Sequence, residues 1–296
     1  MNDLSAWLAK GSGELLLGVM GDPIGHSRSP LMQTAALRAL GIPGAYVPLL
    51  VAPGRLGDAV AAARSLQFRG FNVTIPHKVN VIPYLDRLDE RAAAIGAVNT
   101  VVNDGETLTG YNTDGIGYVR ALKTEAVPEL AGKRILVLGA GGAARGVVDA
   151  LLREEPGELI VANRAADKAL ALAAEWGQRG ALKGIGMNEA HRVVPFMDVI
   201  INTTSVGMHP HTGDTPLDAA LLREGTVVSD LIYNPLETRL LAEAKTRGCM
   251  AHGGLGMFVY QGAYALEYWT GKPAPTDIMR SVILQALGAP DAIDNE

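Results

Sequence analysis

Four short polar runs interrupt the first third of the chain: Gly25-His26-Ser27-Arg28-Ser29-Pro30, Asn72-Val73-Thr74-Ile75-Pro76-His77-Lys78, Gly96-Ala97-Val98-Asn99-Thr100 and Gly110-Tyr111-Asn112-Thr113-Asp114. Each falls at or near the end of a predicted strand, and in an open α/β sheet ligands bind outside the carboxyl ends of the strands. The four runs can therefore converge on one cleft. Hydroxyls and amides dominate them, groups that donate and accept without a charge to neutralise, which suits a small polyhydroxylated acid. Ser27 and Ser29 stand two residues apart at a helix entrance, placed to meet a carboxylate. Lys78 and Asp114 are the pair able to move protons. An ammonium can stabilise an incipient alkoxide and deliver its proton, and a carboxylate can hold the amine and relay protons to water. A nearby carboxylate keeps a lysine charged whereas burial discharges it, and the sequence leaves that balance open. Each residue also has a plain structural role open to it: Lys78 at a helix start, Asp114 as an N-cap, Ser29-Pro30 as an N-cap followed by proline at N1.

A second chemical signature follows the apolar run 135–138. Gly139-Ala140-Gly141-Gly142-Ala143-Ala144 is a G-x-G-x-x-A pattern that closes a strand and opens a helix. Glycine there tightens the turn and lets a pyrophosphate approach the N–H groups of the helix start, where the dipole favours an anion. At the end of the next strand, an acid would accept hydrogen bonds from the ribose hydroxyls of NAD. The chain instead reads Ala162-Asn163-Arg164-Ala165-Ala166-Asp167-Lys168. A guanidinium grips a 2′-phosphate through two hydrogen bonds and stacks on adenine, and Lys168 adds charge. The cofactor expected is NADP. Hydride addition to a ketone then needs the proton donor that Lys78 and Asp114 offer.

These residues have to be held by alternating strands and helices. Strand-like runs at 14–20, 45–51 and 71–74 alternate with helix-like runs at 29–40 and 55–66, a βαβ rhythm, with short helical pieces after Pro76 and over 89–95. Runs 98–102 and 107–111 flank Asn103-Asp104-Gly105, a hairpin signal, and a helix starts near Asp114. A second series runs through strands at 134–138, 159–162, 199–202 and 227–231 with helices to about 152 and over 167–176, fitting a doubly wound parallel sheet of Rossmann type. Helices at 257–269 and 276–287 close the chain. The fold class is α/β in two domains: a discontinuous substrate-binding domain of residues 1–118 plus 256–296, completed by the last helices, and a dinucleotide-binding domain of 119–255. Gly253, Gly254 and Gly256 offer a hinge between them.

Composition narrows the remaining classes. Of 296 residues 48% are hydrophobic and 19% charged, which excludes a charge-rich disordered chain. A net charge of −5 argues against a nucleic-acid surface. The single Cys249 cannot form an intramolecular disulfide, no run approaches the ~20 apolar residues of a membrane span, and no signal peptide is evident. The expected location is the cytoplasm. His209 and His211 flank Pro210 without a third ligand in view, so no metal is expected.

With these runs in hand, the sequence resembles the shikimate/quinate dehydrogenase family from Gly21 to about Gly271. The likeness also includes Asn202-Thr203-Thr204-Ser205-Val206-Gly207-Met208, Asp230-Leu231-Ile232-Tyr233-Asn234-Pro235 and the run from Gly254 to Gly262. The resemblance implies reversible NADPH-dependent reduction of 3-dehydroshikimate to shikimate, on the route to chorismate and the aromatic amino acids. Lys78 and Asp114 match the catalytic pair, and Ser27, Ser29, Thr74, Asn99, Tyr233 and Gln261 match substrate-binding positions. Gly139, Ala140, Gly141, Gly142, Ala143, Asn163, Arg164, Lys168, Leu231 and Gly254 match cofactor positions, with Glu90 a further addition. Ala165 stands where NADP-preferring members carry threonine, which removes one hydroxyl contact. Two alternatives remain: an NAD-preferring quinate dehydrogenase, against which Arg164 and Ser29 speak, and a non-catalytic ligand sensor, which would be expected to lose Lys78 or Asp114. A homodimer is compatible with the sequence.

Overall fold

The computed structural model describes Ser5 and residues 13–288. Two compact units emerge, one of Met1–Thr113 with Gln261–Glu296 and one of Asp114–Tyr260. Each carries a six-stranded sheet.

In the first unit the strands are β1 (Leu15–Gly21), β2 (Gly44–Leu50), β3 (Gly70–Val73), β4 (Arg87–Leu88), β5 (Thr100–Asn103) and β6 (Leu108–Tyr111), in the order β2-β1-β3-β5-β6-β4. Helices α1 (Ser29–Ala39) and α2 (Leu56–Ser65) connect the parallel strands β1, β2 and β3. Strand β5 then runs antiparallel to both β3 and β6. The turn between β5 and β6 is the Asp-Gly hairpin: the Asp104 carboxylate accepts the N–H groups of Glu106 and Thr107 at 3.0 and 2.8 Å, and Gly105 takes φ 100°. The antiparallel direction of β5 departs from the βαβ rhythm and matters for the site. It sets Thr100 opposite Asn72, so the run that precedes β5 lies at the same sheet edge as the run that follows β3.

After Pro76 the chain forms turns and a short 3₁₀ segment, Ile82–Tyr84, rather than the helical piece expected. Pro83 lacks the N–H that a continuing helix would need. Helix α3 (Glu90–Ile95) follows, capped by Asp89, whose carboxylate accepts from Arg91 and Ala92 N–H.

The second unit opens with α4 (Asp114–Glu125), which lies whole within it. It continues through β7 (Arg134–Leu138), α5 (Gly142–Leu152), β8 (Glu158–Asn163), α6 (Ala166–Trp176), β9 (Leu182–Gly186), α7 (Met187–Val193), β10 (Val199–Asn202), β11 (Val227–Asp230), α8 (Arg239–Thr246) and β12 (Met250–His252). All strands are parallel, in the order β12-β11-β10-β7-β8-β9. A parallel sheet covered on both faces needs strands that are apolar throughout, and β7 shows it. Ile135 and Val137 enter the core on one face while Leu136 and Leu138 enter the core on the other.

Helix α9 (Leu255–Thr270) begins in the second unit and ends in the first, where α10 (Thr276–Ala286) packs on α1. The fully buried Trp269 ties α9 to the first sheet: its indole N–H donates to Val101 O at 2.9 Å, and the buried Arg69 donates to Trp269 O at 2.9 Å and Asn103 O at 2.7 Å.

Candidate active site

In the second sheet the chain leaves β7 toward β8 on one side and returns to β10 on the other, so the crevice above β7 and β10 is the topological switch point. Gly139 sits there with φ 108°, and a Cβ on it would stand 2.6 Å from Thr203 Oγ1, so only glycine fits. Its N–H donates to Ala162 O at 2.8 Å, and Thr203 Oγ1 donates to Leu138 O at 2.7 Å, lacing the ends of β7, β8 and β10 together. Gly141 caps α5 with no side chain bonded to the helix start, and nothing lies within 4 Å of a Cβ placed on Gly141 or Gly142. The first-turn N–H groups therefore open onto free space, the arrangement that receives a phosphate.

That space is a cavity of about 280 Å³ lined by Gly139, Ala140, Gly141, Asn163 and Arg164 together with Thr203, Thr204, Ser205, Val206, Met187 and Pro216. An adjoining depression of about 580 Å³ is lined by Ala140, Gly141, Asn163, Arg164, Ala165 and Lys168. The structure thus brings together six of the predicted cofactor residues and leaves two cationic side chains beyond the glycine turn, where a 2′-phosphate would need them. Asn163 donates from Nδ2 to Ala165 O at 2.9 Å and so shapes the bend into α6. Ala165 gives that helix no side-chain cap. Gly142 and Ala143 lie in the first turn of α5. Leu231 and Gly254 meet each other: a Cβ on Gly254 would overlap Leu231 O. Close approach, not a left-handed backbone, explains the glycines at 253, 254 and 256, whose Cβ positions face Leu236 O, Leu231 O and the Glu125 and Ala121 side chains. Tyr233 stacks on Phe258 at 4.5 Å between ring centroids.

The sequence reading passed over the Thr203–Val206 side of the cavity as site residues. Its signal was Asn202 at the end of β10. Asn202 Oδ1 accepts from Thr204 N and Oγ1, and its Nδ2 donates to Asp230 Oδ1 at 3.1 Å. Asp230 is fully buried and also accepts from Ile232 N–H and the Thr238 hydroxyl. Burial pushes its carboxyl above the usual carboxylate range despite these donors. The network fixes the loops that follow β10 and β11.

In the first unit, the loops after β1, β3 and β6 and the loop before β5 meet at one sheet edge. Asn72 donates from Nδ2 to Asn99 O at 2.9 Å and Thr100 Oγ1 at 3.0 Å. Asn99 Oδ1 accepts from Thr113 N–H at 2.8 Å, and its Nδ2 donates to Thr113 Oγ1 at 2.9 Å. Lys78 is half-buried on a turn, and its carbonyl accepts from Val98 N–H at 2.8 Å. The turn is anchored by fully buried His77, whose Nε2 lies 2.6 Å from Val51 O. A ring nitrogen facing a carbonyl must carry the proton, so His77 is a donor there. Thr74, partly buried, closes the end of β3 by donating its N–H to Met20 O at 2.9 Å.

Ser29 does not cap α1: Arg28 holds that position, and Ser29 N–H points to Ser27 Oγ at 3.3 Å. Glu90 lies in the first unit, in the first turn of α3. Gln261 is the first residue of α9 to fall in the first unit, and Asp114, buried, opens the second.

A glycine turn at the switch point of a parallel sheet, with two cations beyond it, defines a dinucleotide-dependent oxidoreductase of the Rossmann class. Family profiles described as the shikimate dehydrogenase substrate-binding domain, shikimate/quinate 5-dehydrogenase and the shikimate 5′-dehydrogenase C-terminal domain match residues 19–101, 121–213 and 254–284. The chain belongs to the shikimate dehydrogenase family. Shikimate dehydrogenase (NADP(+)) of Geobacillus kaustophilus is 49% identical over 274 residues, 93% of this chain and 99% of that one. A shikimate dehydrogenase crystallised with NADP+ superposes with a TM-score of 0.87 at 40% identity, covering 94% of this chain and 97% of the other. Quinate dehydrogenase of Corynebacterium glutamicum, crystallised with NAD, gives 0.86 at 32% identity, covering 92% and 99%.

Proposed function

We propose that the protein catalyses the reversible, NADPH-dependent reduction of 3-dehydroshikimate to shikimate, on the route to chorismate and the aromatic amino acids. The observation that carries this reading is the near-full-length likeness to an NADP(+) shikimate dehydrogenase. The cavity above β7 and β10 suits the cofactor: Gly139, Ala140 and Gly141 leave room for the pyrophosphate at the α5 N-terminus, and Arg164 and Lys168 would hold the 2′-phosphate. Leu231, Gly254, Gly142, Ala143 and Asn163 complete that assignment, with Glu90 as an outlying member. The bound nicotinamide supplies or accepts hydride.

The chain's own groups manage the proton and the ring. The Lys78 ammonium stabilises the oxygen that gains charge and delivers its proton, while Asp114 holds the amine and passes protons to water. Ser27 and Ser29 take the carboxylate, and Thr74, Asn99, Tyr233 and Gln261 take the ring hydroxyls. The presence of both Lys78 and Asp114 argues for turnover over ligand sensing. Arg164 and Lys168 favour NADP over the NAD of the quinate alternative. No helix among the described residues is long and apolar enough to cross a membrane, and none of their His, Cys, Asp or Glu side chains form a group of three able to hold a metal ion. We assign the protein to the cytoplasm, and light scattering of the purified chain would read a homodimer as twice the chain mass.

Lys78→Ala tests the mechanism. Turnover is expected to drop by roughly 10²- to 10⁴-fold, the usual worth of a positioned proton donor, while calorimetry shows shikimate still bound. Near-normal turnover would remove the lysine from the reaction.

A further inference from the structure

A line of side chains in the second unit lies outside every set of site residues named so far. Tyr118, Ser229 and His252 are buried and stand on α4, β11 and β12, with Ser229 and His252 as register partners on neighbouring strands. The Tyr118 phenol donates to Ser229 Oγ at 2.9 Å, and Ser229 Oγ lies 2.8 Å from His252 Nδ1. Burial pushes the phenol well above its usual pKa, which keeps it a donor throughout the working pH range, so the serine proton is left to bond Nδ1. The proton of a neutral imidazole then sits on Nε2, which faces Glu125 Oε2 at 3.4 Å. The opposite tautomer would turn an Nε2 lone pair toward that carboxylate. The line therefore runs in one direction, from Tyr118 to Ser229 to His252, and the Glu125 charge fixes the tautomer.

We propose that His252 is a positioning residue for the reaction: by taking the Ser229 proton it leaves Ser229 to accept from Tyr118, and so holds the first turns of α4, Asp114 included, against the strand ends that lead to Leu231 and Gly254. The proposal rests on the reading of Asp114 as a catalytic group and of Leu231 and Gly254 as cofactor-binding positions. The spacing is short at every step. Tyr118 follows Asp114 by four residues within α4, which puts the two on one face of the helix. Leu231 follows Ser229 by two residues, and Gly254 follows His252 by two. Leu231 and Gly254 in turn lie against each other. With Nδ1 gone, the Ser229 hydroxyl would have to turn toward another acceptor, and a rotated hydroxyl no longer offers its lone pair to the phenol. A buried phenol left unpaired is costly, and a shift of α4 is the way to relieve it. Glu125, at the far end of α4, is held by close packing, because a Cβ on Gly256 at the start of α9 would overlap its carboxylate.

His252→Leu and His252→Asn together make the test, set in a cycle with Ser229→Ala. Leucine fills the space and accepts nothing, whereas asparagine places Oδ1 near the position of Nδ1 and can still take the serine proton. His252→Leu is expected to lower kcat for shikimate oxidation by roughly five- to thirtyfold, with the KM for shikimate close to wild type, and His252→Asn to recover most of that loss. In the Ser229→Ala background His252→Leu should add almost nothing, because His252 acts through Ser229. A merely structural histidine would lower the melting temperature and leave kcat of the folded protein alone. An unchanged kcat in His252→Leu, an equal loss in His252→Asn, or a full additive loss in the double variant would overturn the proposal. If His252→Leu proves too unstable to assay, an unchanged kcat in Ser229→Ala overturns it equally. A wild-type protein that fails to oxidise shikimate with NADP would sink the functional reading and this proposal with it. That result is distinguishable from active wild type beside an unaltered His252→Leu.

Discussion

Arg164 and Asp230 show two ways in which one side chain sets the behaviour of the second unit. Arg164 lines both parts of the cavity, a position the sequence marks by counting to the end of β8, where the motif puts the residue that faces the ribose. Arg164→Ala is expected to raise the KM for NADP by roughly 10- to 100-fold, the worth of a charge-assisted pair of hydrogen bonds, and to leave that for NAD nearly unchanged. Equal KM changes for both cofactors would contradict the assignment. Asp230 was not legible: its burial at the end of β11 and its pairing with Asn202, 28 residues earlier at the end of β10, depend on the two strands lying side by side. Since burial raises its carboxyl, it contributes stability below the ordinary unfolded value near 4, and that contribution is lost as pH rises through the folded value. Asp230→Asn does not titrate. In urea unfolding, wild-type stability minus that of Asp230→Asn should fall from about pH 4 upward and then level off. A difference that grows with pH would contradict burial as the dominant influence.

At the scale of elements, turn chemistry was the reliable guide. The Asp-Gly hairpin and the glycine turn stand where their turn residues put them, and helices α1, α5 and α6 stand where their periodicity put them, without the side-chain cap expected at Ser29. What failed was direction and brevity. The reversal of β5 depends on pairing with β3, which no local pattern encodes, and it is this reversal that delivers Asn99 to the site. Strands β9 and β12 and helices α7 and α8 are short, and their packing partners rather than their periodicity define them. Helix α4 shows how tightly elements constrain the chemistry. Gly115, next to Asp114, lies so close to α5 that a Cβ would overlap Gly146 O. Gly115→Ala should force the two helices apart at a cost of about 1–3 kcal/mol, lowering the melting temperature and the turnover together. A stable, fully active variant would show that the crossing of α4 and α5 does not position Asp114.

The whole molecule joins two six-stranded sheets of different design. The parallel one is built around the dinucleotide, and its βα alternation made it the clearest part of the sequence. The mixed one gathers hydroxyls and amides at a single edge, and the chain returns to it through α9 and α10 after the second unit is complete. That return was legible from the switch to purely helical periodicity after Gly253, whereas its exact partners were not. Two sheets with these separate tasks amount to a claim about reaction and cofactor together. The most direct test mixes the purified protein with shikimate or quinate and with NADP or NAD, following reduced nicotinamide by its absorbance. Shikimate with NADP should give the highest kcat/KM of the four pairs. A preference for quinate with NAD, or no turnover with any pair, would contradict it.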